Sequence, residues 1–212
     1  MKNATMTQTL LFILVIGIGL FYAFKYGNKA KKDIAEFESK KESNETTQEI
    51  IELKYFGKID LNKTEEYIDI LTNINENEVS IDLNIIEEKI SKETIQPTIK
   101  FLENLSGIEK IAHKQVLSDF KNGNIVKDYI EHHIGEFNDE ELKSLGIEST
   151  DSSENKKQKF LNKIHLKRIG IYPEEWDSLA IFDYTINDDL TQYLIVLKFD
   201  SNGKFVDIYT ES

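Results

Sequence analysis

Asp128, His132 and Glu136 stand four residues apart, so on a helix they fall along one side and two carboxylates bracket an imidazole. Such a row can hold a hard divalent ion or orient a histidine for proton transfer. An exposed, salt-bridged helix face has the same spacing, and metal sites normally draw ligands from several elements. Other chemistry has less to stand on. With four His, no Cys, no H-E-x-x-H and no G-x-S-x-G, the signatures of a metalloprotease or a serine hydrolase are missing. G-x-G-x-x-G and G-K-[ST] are missing too, which excludes nucleotide binding by these devices. No catalytic residue and no cofactor is assigned.

Binding chemistry has two candidates. Glu174-Glu175-Trp176-Asp177 puts the sole Trp in an acidic loop, where it can anchor an interface while the acids steer a cationic partner. The competing reading folds Trp176 back as a cap on the sheet core. Arg168 is the only arginine, so bidentate recognition of an anion by arginine must use it. It ends a basic stretch that includes Lys156, Lys157, Lys159, Lys163 and Lys167; a solvated helix face is the default for such a stretch. His133 lies on an apolar stripe and reads as a partly buried histidine bonded to a carbonyl.

These residues need a scaffold, and the chain of 212 residues with 40% hydrophobic content is long enough for one packed domain and an attachment. Its net charge of -12 conceals two objects. Residues 1–32 carry five Lys and no acid, whereas residues 33–212 carry 38 acids and 21 bases, a net of -17. That balance argues against nucleic acid and points to a basic protein partner. Asn3–Phe24 has no charge. The residues in it expected to anchor the chain are Leu10, Leu11, Phe12, Ile13, Leu14, Val15, Ile16, Ile18, Leu20, Phe21 and Phe24. As a helix it would span about 33 Å, enough for a bilayer core. A cleaved export signal is disfavoured, because no A-x-A-like site occurs and lysines follow. The expectation is an inner-membrane, single-pass anchor over 1–24 that contacts the lipid bilayer. A juxtamembrane linker over 25–48 and an acidic domain over 49–212 follow it. Lys25, Lys29, Lys31 and Lys32 place that domain in the cytoplasm.

Within the domain, Ile50–Phe56 and Val79–Ile85 read as strands. Asn62 looks like a helix cap, with Tyr67, Ile70, Leu71 and Ile74 as an apolar helical stripe. Helical stripes follow: Ile95, Ile99 and Leu102, with Pro97 tolerable only in a first turn; Ile108 to Phe120, preceded by Gly107; and Val126, Tyr129, Ile130, His133 and Phe137. Shorter pieces lie at Asp139–Leu145 and Ser153–Lys163. His165–Tyr172, Leu179–Ile186, Gln192–Phe199 and Lys204–Tyr209 are strand-like, with a hairpin turn at 200–203. The fold class is α+β: helices packed on an antiparallel sheet that ends in a C-terminal four-stranded meander.

Four segments in this order carry a resemblance. They are Leu53-Lys54-Tyr55-Phe56-Gly57-Lys58-Ile59-Asp60, Val126-Lys127-Asp128-Tyr129-Ile130-Glu131-His132-His133, Lys167-Arg168-Ile169-Gly170-Ile171-Tyr172-Pro173 and Ala180-Ile181-Phe182-Asp183-Tyr184-Thr185. Together they resemble the bacterial domain-of-unknown-function family numbered 2004, over about residues 50–212. The resemblance implies one domain and a bacterial origin, and brings no activity and no site residues. On the residues alone, the expected role is a membrane-tethered, non-enzymatic acidic protein-binding module of immunity-like or accessory type. The alternatives are a structural envelope scaffold and a metal-assisted hydrolase using Asp128, His132 and Glu136.

Overall fold

The alternating apolar and polar residues from Val79 fall in a strand, Asn77–Asn84, the second of six in a sheet that the helices cover on one face. The computed structural model describes residues 48–75, 77–175 and 177–212, which belong to one unit, Gln48–Ser212. The expected membrane anchor lies outside them, and among the described residues no helix is long and apolar enough to cross a membrane. Strands β1 (Ile50–Leu53) and β2 (Gly57–Asp60) form a separate antiparallel hairpin. Strands β3 (Tyr67–Ile74), β4 (Asn77–Asn84), β5 (His165–Ile171), β6 (Ala180–Thr185), β7 (Leu194–Phe199) and β8 (Phe205–Glu211) make a six-stranded sheet in chain order.

Every neighbour in that sheet is antiparallel except β4 and β5, which run parallel. A parallel pair cannot be closed by a tight turn and needs a crossover. Here the crossover holds five helices: α1 (Lys92–Glu103), α2 (Leu105–Asn122), α3 (Ile125–Glu136), α4 (Asp139–Ser144) and α5 (Ser153–Leu161). Side chains start three of them. Ser91 accepts the Thr94 N–H, Ser152 accepts the Asn155 N–H, and Asn138 with Glu141 forms a reciprocal capping box. The core lies between helices and sheet, where Val79, Ile81, Leu83, Ile169, Ile171, Phe182, Leu197 and Phe199 meet Phe101, Leu102, Ala112 and Ile130. Phe182 ties the layers, edge-on to Phe101 at 6.4 Å and tilted against Phe199 at 4.9 Å.

The α+β class and the four-stranded C-terminal meander, β5 to β8, are as expected, and the 200–203 turn holds with Asp200 accepting the Asn202 and Lys204 amides. Several expectations fail: the sheet is not wholly antiparallel, Gly107 lies inside α2 and not before it, and no helix starts at Asn62. Residues 67–74 are a strand, not a helix. Ile68, Ile70, Thr72 and Ile74 turn inward in alternation, while Tyr67 and Leu71, which completed the helical stripe, are exposed. Pro97 is the sixth residue of α1, not in its first turn. It deprives the Glu93 carbonyl of its helical partner, and Glu93 is exposed, so that carbonyl can turn to solvent.

On the other face of the sheet the only arginine crosslinks the parallel junction. Arg168 Nε and Nη2 donate to the two carboxylate oxygens of fully buried Asp82 at 2.6 and 2.8 Å, and Nη1 donates to Asp183 at 2.8 Å. Nη2 also donates to the Tyr172 hydroxyl at 3.0 Å. Burial opposes the charge on Arg168, but its bonds to Asp82, Tyr172 and Asp183 outweigh burial and raise its pKa. Burial raises the Asp183 carboxyl, against the pull of Arg168. Gly170 lies beneath this network: a Cβ there would come within 2.8 Å of the Tyr172 ring and 2.9 Å of Arg168 Nη2. Arg168→Met would leave Asp82 buried without a countercharge, and the expected loss of unfolding free energy is about 3–5 kcal/mol. Gly170→Ala is expected to destabilise as well, by displacing both side chains. Equilibrium urea unfolding of the full-length variants measures this; a loss for Arg168→Met under about 1 kcal/mol would reduce the network to a weak surface pair.

Candidate functional site

Tyr129 and His133 are one helical turn apart on the inward side of α3, and both reach the 187–193 connection between β6 and β7. The Tyr129 hydroxyl donates to the Tyr193 carbonyl at 3.1 Å. His133 Nδ1 lies 2.7 Å from the Tyr129 carbonyl, which can only accept, so Nδ1 carries the proton. His133 Nε2 then accepts from the Thr191 hydroxyl at 2.8 Å, and Thr191 Oγ1 accepts the Tyr193 N–H at 3.0 Å. Burial lowers the His133 pKa and keeps the ring neutral, with the Tyr129 carbonyl opposing and His132 adding to the depression. Burial likewise pushes the Tyr129 hydroxyl up to about 12. The expected carbonyl-bonded histidine is therefore present, and it also latches the connection to the helix.

That latch holds one wall of an open cleft of about 820 Å³. Glu136, Asp188, Asp189 and Ser212 border it, and His132, His133 and Tyr193 give it an aromatic floor. A smaller hollow of about 340 Å³ adjoins it, reaching Asp128, Tyr129 and Thr210. His132 and Tyr193 line both, with ring centroids 5.0 Å apart in an edge-to-face pair. Asp188 is paired with Lys167 at 3.0 Å. Among the described residues, neither Glu136 nor Asp189 forms an ion pair.

The structure disperses the residues singled out from the sequence. Asp128, His132 and Glu136 do share the exposed side of α3, but Asp128 and Glu136 border different hollows, with His132 lining both. Eight residues of helix separate the two carboxylates by about 12 Å along the axis. Among the described residues no group of three His, Asp or Glu side chains is placed to hold a metal ion, these three included. The donors of Arg168 are directed to internal acceptors, as described above. Glu174 accepts the N–H groups of Ile86 and Glu87 at 2.5 and 3.4 Å, and Asp177 lies 3.7 Å from Lys198. Glu175 is exposed, and Trp176 lies outside the described residues. Tyr193, Thr191, Asp188 and Asp189 were not anticipated. Only the run of polar residues between two strands marked that connection, and the sequence gives no sign that α3 lies beside it.

No protein-family model, curated protein or solved structure matches the chain.

Because folding depresses the His133 pKa, its neutral ring stabilises the latch above an ordinary imidazole pKa of about 6.5, and that stabilisation is lost as pH falls through the lower folded value. His133→Gln is expected to be less stable than the parent at pH 7.5, with the gap narrowing below pH ~6.5. Thermal unfolding of both proteins across this range measures the gap. A gap independent of pH would mean that His133 does not titrate with folding.

Proposed function

We propose that this protein is a membrane-tethered, non-enzymatic acidic module that binds a basic protein partner, in an immunity-like or accessory role. Segment 3–24 holds it in the inner membrane, and the lysines that follow keep the domain in the cytoplasm. One observation carries the binding role: the 820 Å³ cleft is walled by carboxylates, of which Glu136 and Asp189 lack an ion-pair partner among the described residues. Unpaired acids beside a rigid aromatic floor attract cations over a distance and leave apolar surface to bury on contact. The charge of residues 33–212 favours the same class of partner and repels acidic ones. The acids of the 174–177 loop are weaker candidates, since Glu174 and Asp177 already serve internal contacts.

The test is a titration of the full-length protein with basic and acidic peptides of equal length, at about 50 and 300 mM salt. The basic peptide alone is expected to bind, more weakly at high salt. The double variant Glu136→Lys/Asp189→Lys should reduce that affinity at least about tenfold, the equivalent of about 1.4 kcal/mol. Equal binding of both peptides, or no effect of charge reversal, would remove the binding role. A reporter fused after Ser212 is expected to be active only inside the cytoplasm.

A further inference from the structure

We infer that the cleft reads a guanidinium group, the arginine side chain of the basic partner, seated against the Tyr193 ring with Glu136 and Asp189 as its carboxylate partners. The inference rests on the reading of this domain as a binder of basic protein and names the side chain it recognises.

Three features of the cleft select the ligand. First, its aromatic surface is available. Tyr193 is 43% exposed although it meets both His132, at 5.0 Å, and His133, at 5.8 Å, edge-to-face. A cation placed over such a ring is attracted by its negative face, and arginine uses this contact more often than lysine because its planar group can stack. Second, the charge is incomplete. Lys167 already answers Asp188, whereas Glu136 and Asp189 have no cation among the described residues. A fork of N–H donors suits carboxylates in a way that a point charge does not. Third, the cleft is open, so a bound ammonium would stay largely hydrated and gain little. Guanidinium is more weakly hydrated and gives up less water on stacking.

The ring is also presented on a fixed backbone. The Tyr193 N–H donates to Thr191 Oγ1, and its carbonyl accepts from Tyr129. None of these bonds uses the phenol of Tyr193. Binding therefore orders little of the protein, and the side chain can be exchanged without releasing the latch.

The experiment uses the full-length protein in non-ionic detergent and two peptides of one sequence, with three Arg in the first and three Lys in the second. The arginine peptide is expected to bind about two- to fivefold more tightly. Tyr193→Leu should abolish that preference by weakening the arginine peptide more than the lysine peptide. Glu136→Gln with Asp189→Asn should weaken both peptides together. Circular dichroism of each variant establishes that it is folded. Equal affinities of the two peptides for the parent protein, or a preference that survives Tyr193→Leu, would overturn the arginine assignment and leave the acidic-module reading standing. Failure of both peptides to bind would overturn both.

Discussion

The pairing of Arg168 with Asp82 bridges 86 residues of sequence at the one place where the sheet is parallel. Strands β3 and β4 form a hairpin, and β5 to β8 form a meander, so each half can be built from local pairings. Joining them requires β5 to arrive beside β4 after all five helices, which is a costly long-range closure. Arg168 fixes the register of that closure with a two-pronged bond to Asp82, and extends it to β6 through Asp183. The network is polar because its setting is polar: Asp69 lies directly across from Asp82 on β3, and two carboxylates at this spacing repel. One guanidinium on β5 answers the charge of Asp82 directly. Lysine could neutralise the charge but could not span two acceptors in this planar geometry.

With the junction set, the crossover brings α3 against the far end of the sheet, beside β7 and β8. Tyr129 and His133 then secure the 187–193 connection, and the cleft is what remains between helix and connection. Much of the chain's excess of acid is structural. Glu174 binds backbone amides, Asp200 shapes a hairpin, and Asp151 accepts from Lys159 and Asn155. The carboxylates of Glu136 and Asp189 serve no such internal contact among the described residues, and both border the cleft. A functional reading thus comes from where unpaired acids meet beside exposed aromatic surface, not from how many there are.

Several elements were legible because one face of each is buried against one neighbour. The stripe Val126, Tyr129, Ile130 and His133 could only be a helix, and the alternation of Val79, Ile81 and Leu83 could only be a strand. Residues 67–74 were misread because Tyr67 and Leu71 are apolar yet exposed, on the face that no helix covers. With both faces partly apolar, a period of 2 resembles one of 3.6. The cleft was half legible: His132 and Glu136 stood out by helical spacing, but Tyr193 and Asp189 lie more than fifty residues away, and nothing local links them.

The sequence by itself determined the charge division, the α+β class and the hairpin turn at 200–203, since these depend on composition or on neighbours within a few positions. Only the tertiary structure decided the roles of the ionisable residues. Arg168, as the sole arginine the natural candidate for binding an anion, is turned inward to Asp82 and Asp183. Asp128 and Glu136, candidate ligands for one ion, border separate hollows. His133, a core residue by its stripe, became the latch of the cleft. A side chain's charge is fixed by its type, but what that charge does depends on which countercharge and how much water lie within a few ångströms. Those distances are set by chain segments that the sequence keeps far apart.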